Sequence, residues 1–354
     1  MNHFAHIASH LASRGLDAML ITSEPGELYA AGFHGEGVAL ITPDKSWYYT
    51  DSRYIEAANQ LVTGAEVAMP QAGQSYRSLV DGLIQAHGIR TLGFEEQYLS
   101  VADYQRWSEA LDVEWVPASQ LITDLRMVKD EEELKAMREA QRVTDAAFAE
   151  ILNDVKPGVT ECEIAARLTY LMACMGAERN SFDPIVACGA NGSKPHAVPS
   201  QAVIQKGQFV TMDFGCVVGG YCSDMTRTVA VGEPTDEMRL VYDTVLKAQL
   251  AGIGVARGGV TGAEVHNAAA KVISEAGYGA YFGHGFGHSL GIEIHENPRF
   301  SPAWNRAIPA GAMLSAEPGI YLPGRFGVRI EDVIMLTDEG NIDITKSPKE
   351  LIIL

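Results

Sequence analysis

The sequence predicts a small α/β domain over residues 1–125, followed by an α+β domain over residues 126–354 that contains an internal pseudo-two-fold repeat. Three observations support this prediction. Helix and strand patterns alternate over the first third of the chain. A strongly charged helix start interrupts that pattern near residue 130. Beyond it, two similar segments recur 101 residues apart, at 158–177 and 259–278.

The first domain shows the short apolar segments of a mixed sheet. An amphipathic helix is predicted within the first 20 residues. The segments DAMLIT, GVALIT and SWYYTD are predicted strands, and SVADYQRWSEAL is a predicted helix. This alternation is typical of an α/β layer structure.

The second domain is predicted to open with a long helix over residues 131–154. Asp130 is a suitable N-cap, and Glu133 completes a capping box three residues later. The long helix therefore marks the start of a new folding unit.

The two similar segments each begin with Gly-Val-Thr and a predicted capping box. Thr160 pairs with Glu163 in the first, and Thr261 pairs with Glu264 in the second. A long helix precedes each copy, at about 235–256 for the second, and a strand-like segment follows each. Two such halves would leave a cleft between them, where sites are common. Chance similarity of two capped amphipathic helices is the alternative.

Composition excludes several classes of function. The formal net charge of −18 disfavours nucleic acid and anionic membrane as partners. No apolar run approaches the roughly 20 residues of a membrane span, and the N-terminus lacks the basic start and apolar block of a signal peptide. The five cysteines show no metal-type spacing. We expect free thiols and a cytoplasmic location.

The stretch MDFGCVVGGYCSDMTRTV, residues 212–229, predicts a hairpin that carries two aspartates. A two-residue turn at Gly219–Gly220 places Asp213 opposite Thr226 and puts Asp224 on the same face. A turn shifted by one residue places the aspartates directly opposite each other, whereas a three-residue loop separates them. Buried carboxylates cost several kcal/mol each unless a cation pairs with them.

Three other segments carry side chains that could supply or hold such a cation. They are YFGHGFGHSLGIEIHENP with His284, His288 and His295, AMLSAEPGIYLP with Glu317 at a strand end, and GVRIEDVIML with Arg329 and Glu331. The last segment is predicted as one apolar strand with both charged residues on one face. Each segment alone has an ordinary structural explanation. Together, four carboxylates and an imidazole suit two divalent cations, with manganese favoured and cobalt, iron or zinc as alternatives.

These motifs, in this order, resemble the metallopeptidases with the pita-bread fold. The resemblance is closest to Xaa-Pro aminopeptidases and Xaa-Pro dipeptidases (prolidases), and it spans the whole second domain. The segment YTDSRY and the α/β layout resemble the N-terminal domain of the same group. The resemblance implies that Asp213 binds one metal and that His288 and Glu317 bind the other, with Asp224 and Glu331 bridging both.

The resemblance also implies catalytic and substrate-binding residues. The implied catalytic residues are His196, His284, His295, Glu317 and Arg329, and the implied lining of a slot for the proline ring is His284, Ile294 and Tyr321. Two cations would lower the pKa of a bridging water, and the resulting hydroxide would attack the scissile carbonyl. His295 or His196 would stabilise the oxyanion, and Glu317 would carry the proton to the leaving nitrogen.

The predicted function is removal of the N-terminal residue from short peptides with proline in second position, by a homodimeric Xaa-Pro aminopeptidase. A strict dipeptidase needs a cation for the proline carboxylate. Arg329 could serve, and Arg299 and Arg325 are further candidates, but none is clearly dedicated to that role. Prolidase is therefore the alternative.

Methionine aminopeptidase is a more remote alternative because it normally lacks the leading domain. An inert binding module or a creatine-hydrolase-like enzyme would usually lack the metal ligands.

Overall fold

The computed structural model describes residues 2–354, and the chain forms two compact units that divide between Arg126 and Met127. No helix in the described part of the chain combines the length and apolar character needed to cross a membrane.

The first unit is built around one mixed six-stranded sheet. Its elements are α1 (Phe4–Leu11), β1 (Ala18–Ile21), α2 (Glu24–Ala31), β2 (Val38–Ile41), β3 (Ser46–Tyr49), α3 (Ile55–Leu61), β4 (Glu66–Ala68), α4 (Tyr76–His87), β5 (Thr91–Phe94), α5 (Val101–Ser108), β6 (Glu114–Pro117) and α6 (Ser119–Arg126). The strand order is β4-β3-β2-β1-β5-β6, in which β2 runs antiparallel to both neighbours and the other pairings are parallel. Every residue of β1, β2 and β3 is buried, which explains their continuous apolar character. The helix predicted at SVADYQRWSEAL is α5, and the three predicted strands are β1, β2 and β3. Each element is a little shorter than its predicted segment.

The second unit contains four α-helices and four small sheets, arranged in two halves. The first half comprises α7 (Glu131–Ile151), α8 (Glu161–Cys174), β7 (Arg179–Asn180), β8 (Ile185–Cys188), β9 (Gln208–Phe214), β10 (Cys216–Val218), β11 (Tyr221–Cys222) and β12 (Met225–Val231). The second half comprises α9 (Asp236–Val255), α10 (Gly262–Glu275), β13 (Gly287–Ser289), β14 (Glu296–Phe300), β15 (Met313–Ala316), β16 (Gly319–Leu322), β17 (Phe326–Arg329), β18 (Asp332–Leu336) and β19 (Asn341–Asp343).

Each half packs a helix pair on its own strands and has its own apolar core. One core joins α7 and α8 to β8, β9, β10 and β12, and the other joins α9 and α10 to β14 through β18. The capping boxes predicted at Asp130, Thr160 and Thr261 are all formed. The pseudo-two-fold repeat in the sequence is therefore a repeat of the fold.

The predicted hairpin register is confirmed. Val218 pairs with Tyr221 across the Gly219–Gly220 turn, and Thr226 pairs with Asp213. Both turn glycines have positive φ, at 58° and 79°, which a two-residue hairpin turn requires. All five cysteines are free in the structure, and Cys216 and Cys222 of the hairpin are buried.

The prediction of one strand through GVRIEDVIML is wrong. The segment forms two strands in different sheets, β17 paired with β16 and β18 paired with β15, and Glu331 lies between them. The chain leaves one sheet and enters the other at this point. Arg329 and Glu331 therefore do not occupy alternate positions of one strand, although both side chains contact the Thr226 hydroxyl.

Candidate metal centre

One cavity of the second unit, about 750 Å³ in volume, collects every side chain predicted for the site. The predicted residues that line it are His196, Asp213, Asp224, His284, His288, Ile294, His295, Glu317, Tyr321, Arg329 and Glu331. Both halves contribute to the cavity, so it lies between the repeats.

Strands and strand ends position the five predicted metal ligands. Asp213 is on β9, Asp224 directly precedes β12, and His288 is on β13. Glu317 directly follows β15, and Glu331 lies between β17 and β18. The backbone therefore brings these carboxylates together despite their mutual repulsion.

Three carboxylate oxygens in this cluster are buried and have no hydrogen-bond partner among residues 2–354. They are Oδ1 of Asp213, Oδ1 of Asp224 and Oε1 of Glu331. The second oxygen of Glu331 accepts from the Thr226 hydroxyl at 2.7 Å, and that of Asp213 accepts from Arg329 Nη2 at 2.5 Å. A buried acceptor without a partner is costly. These oxygens are therefore suited to a cation.

The Nε2 atom of His288 presents a free lone pair to the same carboxylates. Its Nδ1–H donates to the Ser289 carbonyl at 3.1 Å, which leaves Nε2 unprotonated. Nε2 lies 3.3 Å from Glu317 Oε1 and 3.7 Å from Asp224 Oδ2. Burial lowers the pKa of His288 to about 3, so the ring is neutral at neutral pH. One ligand atom each from Asp224, His288 and Glu331 fit within 4.8 Å of one another.

Crowding in a dry site disfavours the charged carboxylates. Burial, with Asp213 and Glu317 nearby, raises the pKa of Asp224 well above its usual value. Burial and the nearby Asp224 also raise the pKa of Glu331 well above its usual value. Burial raises the pKa of Glu317 to about 7. Divalent cations would reverse this effect. Hard oxygen donors with one imidazole therefore fit the pair of metal ions expected from the sequence.

Arg329 is fully engaged inside the protein. Its guanidinium donates to Asp213, to the Thr226 hydroxyl at 3.0 Å, to the Tyr321 hydroxyl at 2.8 Å and to the Pro195 carbonyl at 3.1 Å. Only 3% of the residue is exposed. Arg329 therefore holds the site together, and four of its five N–H groups are used within the protein.

His284 is locked in one orientation by two hydrogen bonds. Its Nδ1–H donates to the Gly285 carbonyl at 2.8 Å, and Nε2 accepts from the Tyr321 hydroxyl at 2.9 Å. Burial lowers the pKa of His284 to about 4, which keeps the ring neutral. His284 consequently lines the cavity as a rigid neutral ring.

His196 and His295 are the two exposed histidines of the cavity. The His295 ring lies edge-on to the His288 ring, with centroids 4.4 Å apart. Within the described chain, His196 makes no hydrogen bond, and it is outside the cluster of ligand atoms that fit one ion. Both side chains can therefore contact a bound substrate.

The sequence predicts no role for Thr226 and indicates Arg299 only as a candidate. Thr226 contacts both Glu331 and Arg329, and the hairpin register had already placed it opposite Asp213. Arg299 lines the cavity opposite His288 across β13 and β14, and no described residue forms an ion pair with it. Only the pairing of the strands could show that this arginine faces the site.

A cleft between two repeated halves, with four carboxylates and one imidazole converging in it, defines a metallopeptidase with the pita-bread fold. The chain belongs to metallopeptidase family M24, which matches residues 135–338. Residues 4–128 match the creatinase/prolidase N-terminal domain.

Similar proteins carry both names expected from the sequence. A Bacillus subtilis protein described as an uncharacterized peptidase, YqhT, is 43% identical, with 96% of each chain covered. The solved structure of an Xaa-Pro dipeptidase from Bacillus anthracis has a TM-score of 0.95 and 43% identity, covering 99% of both chains. The X-Pro aminopeptidase from Thermotoga maritima has a TM-score of 0.92 and 36% identity, covering 96% of this chain and 98% of that one. The chain is thus an Xaa-Pro-type peptidase of this family.

Metal binding should stabilise the fold measurably. Adding Mn²⁺ to chelator-treated protein at about 100 times its Kd should contribute about 2.7 kcal/mol, which corresponds to a rise of roughly 5–10 °C in the Tm of a unit of this size. Differential scanning calorimetry with and without Mn²⁺ measures this shift. The Asp224→Asn variant is the matched comparison and should show little or no rise. A wild-type Tm that does not respond to Mn²⁺, Co²⁺ or Zn²⁺ would contradict the metal centre.

Proposed function

We propose that this chain is a dinuclear Xaa-Pro dipeptidase that hydrolyses the peptide bond before proline. The sequence alone favoured the aminopeptidase because it showed no cation dedicated to the proline carboxylate. The observation that carries the revised proposal is Arg299, a cavity arginine without an ion-pair partner among residues 2–354. Arg329 already makes four hydrogen bonds within the protein. Arg325 is exposed, forms an ion pair with Glu237 and does not line the cavity.

The metals would be held by the five residues described above. Asp213 would bind one ion, His288 and Glu317 the other, and Asp224 and Glu331 both. When bound, two such ions acidify a water molecule and polarise the scissile carbonyl. The abundance of oxygen donors supports manganese as the native metal.

Glu317 is suited to proton transfer. Its Oε1 accepts from the Ser315 hydroxyl at 3.1 Å, which holds the carboxylate in place at the edge of the cavity. Its side chain keeps 17% of its surface exposed, so water and substrate can reach it. Glu317 would accept the proton of the attacking water and deliver it to the proline nitrogen, which must become an amine to leave.

His196 and His295 would bind the carbonyl oxygen of the scissile bond as charge develops on it. Their exposure at the cavity supports direct contact with substrate. An oriented N–H donor in a partly desolvated site stabilises an oxyanion more strongly than the ground-state carbonyl.

The proline residue would be recognised by an apolar slot and a cation. Ile294 and Tyr321 line the cavity together with Phe182 and Ile185, and these side chains suit a ring that has no N–H to satisfy. Arg299 would pair with the carboxylate of a C-terminal proline. This pair would position the dipeptide with its scissile bond toward the ligands.

The aminopeptidase is the second candidate, and one observation favours it. Arg299 is exposed to solvent, so it does not close the cavity, and a longer peptide could extend past it. The comparison of Ala-Pro with Ala-Pro-Ala, both with Mn²⁺, separates the two candidates. Preference for Ala-Pro supports the dipeptidase, and equal or better cleavage of Ala-Pro-Ala supports the aminopeptidase. Cleavage of neither, with Met-Ala-Ser cut instead, would reject the proline slot.

Removing Arg299 should weaken binding of the dipeptide selectively. A hydrogen bond to a charged group contributes about 1.5–3 kcal/mol, so Arg299→Ala should raise KM for Ala-Pro by roughly 10- to 100-fold. Steady-state kinetics on both peptides provide the measurement. Arg325→Ala is the matched control and should leave KM unchanged. An unaltered KM for Ala-Pro in Arg299→Ala would remove the basis for the dipeptidase proposal.

The predicted homodimer and cytoplasmic location stay predictions. Light scattering of the purified protein would test the first, and cell fractionation the second.

A further inference from the structure

The position of His196 depends on a loop that we call the His196 loop, residues 189–200. It follows β8 and carries Pro195 and His196 to the cavity wall. His196 is exposed and makes no hydrogen bond within residues 2–354. Its location is therefore set by the backbone of the loop.

Glu161 connects the two ends of this loop. It is the first residue of α8 and has 0% of its surface exposed. At the start of the loop, its carboxylate accepts from the Cys188 N–H at 2.6 Å and from the Asn191 amide at 2.9 Å. At the end of the loop, it accepts from the Ser200 N–H at 2.9 Å and from the Ser200 hydroxyl at 2.7 Å.

These contacts are unusual because no cation takes part. No lysine, arginine or histidine of the described chain forms an ion pair with Glu161. Only neutral donors therefore compensate the desolvation of this carboxylate. Each oxygen faces a backbone N–H. Either orientation of a glutamine amide at this position would set its NH₂ group against a backbone N–H, which leaves that hydrogen bond unmade.

The middle of the loop is held from the opposite side. Arg329 Nη1 donates to the Pro195 carbonyl at 3.1 Å, and the Gly324 N–H donates to the Ser193 hydroxyl at 3.2 Å. Arg329 also binds Asp213. The loop is thus fastened at its base by Glu161 and near His196 by an arginine that contacts the proposed metal cluster.

We propose that Glu161 is a positioning residue for the reaction, acting through His196. Its buried carboxylate ties both ends of the His196 loop together and so fixes where the imidazole lies in the cavity. The proposal rests on the role proposed above for His196. A displacement of about 1 Å in such a group is enough to reduce turnover by roughly 100-fold.

The kinetic test uses Glu161→Gln, with Glu163→Gln as the matched control. Glu163 lies on the same turn of α8, is exposed and contacts only Thr160. With Mn²⁺ and Ala-Pro, Glu161→Gln should lower kcat at least tenfold, with unchanged metal content and KM changed less than threefold. Glu163→Gln should stay within twofold of wild type. Wild-type kcat in a folded, metal-loaded Glu161→Gln variant would overturn the proposal.

A double-mutant comparison distinguishes positioning from a general structural effect. In a His196→Ala background, Glu161→Gln should cause no further loss of kcat, because the group it positions is absent. Losses that multiply would show that Glu161 acts elsewhere and would overturn the proposal. Full activity of His196→Ala alone would instead refute the proposed role of His196.

Hydrogen exchange gives a readout that does not depend on catalysis. Backbone amides of residues 189–200 should exchange faster in Glu161→Gln than in wild type and should be unchanged in Glu163→Gln. Equal exchange in wild type and Glu161→Gln would overturn the proposal even if no Xaa-Pro peptide proved to be a substrate. If Glu161→Gln does not fold, Ser200→Ala removes one of the four bonds and should show the same changes to a smaller extent. A Ser200→Ala variant with wild-type exchange and kcat would then overturn it.

Discussion

Glu331→Gln should abolish cleavage of Xaa-Pro peptides, with kcat/KM falling by about three orders of magnitude. Glu331 is proposed to bridge both metals, and its Oε1 is buried with no partner inside the protein. An amide keeps the size of the side chain and can still accept from Thr226, but it removes the charge that pairs with the cations. Loss of about 4 kcal/mol of transition-state stabilisation corresponds to that decrease. Kinetics with Ala-Pro in excess Mn²⁺, together with metal analysis of the purified variant, measure both effects.

Asp224→Ala should give the same result, because Asp224 is the second proposed bridge. Glu237→Gln, an exposed carboxylate on α9 outside the cavity, is the control and should keep full activity and metal content. Near-wild-type turnover by either bridge variant under metal-replete conditions would disprove the two-metal assignment.

His196→Ala should keep both metals and lose roughly two to four orders of magnitude in kcat, the usual contribution of an acid–base or oxyanion group. In the described chain this histidine is not part of the group Asp224, His288 and Glu331, whose ligand atoms lie within 4.8 Å of one another. Metal content, kcat and KM should be determined on the same preparation.

Val198→Ala is a control from the same loop. Val198 is 78% exposed and does not line the cavity, so its truncation should leave kcat unchanged. If His196→Ala instead loses a metal, His196 is a ligand and the proposed ligand set is wrong.

Features that depend on near neighbours in the chain were predictable from the sequence. The capping boxes at Thr160 and Thr261 follow from a glutamate three residues later, because that spacing alone brings the two groups together. The Gly219–Gly220 turn sets the hairpin register, and the register sets Asp213 opposite Thr226. The motif order was likewise enough to indicate the family.

The segment around Arg329 and Glu331 shows where such reasoning fails. An apolar run with a period of two predicts a strand, but periodicity does not say which sheet the strand joins. Residues 326–329 pair with β16 and residues 332–336 pair with β15, so the strand divides. Strand pairing, which the periodicity of the sequence does not specify, made that choice.

The roles of the arginines could not be read from the chain either. Arg299, Arg325 and Arg329 all lie near ligand motifs, and each was a candidate for binding a carboxylate. Their surroundings differ. Arg329 donates hydrogen bonds to four acceptors within the protein, and Arg325 forms an ion pair with Glu237 at the surface. Arg299 lines the cavity and has no ion-pair partner among the described residues.

The sequence by itself determined the family, the helix starts and the residue types that suit two metal ions, and it limited the hairpin to a few registers, because each depends on spacing along the chain. Only the tertiary structure decided which charges are already neutralised and which remain available, and that Glu161 holds the His196 loop. Electrostatic and hydrogen-bond partners are determined by distance in space, and residues as far apart in sequence as Glu161 and Ser200 meet only in the folded chain.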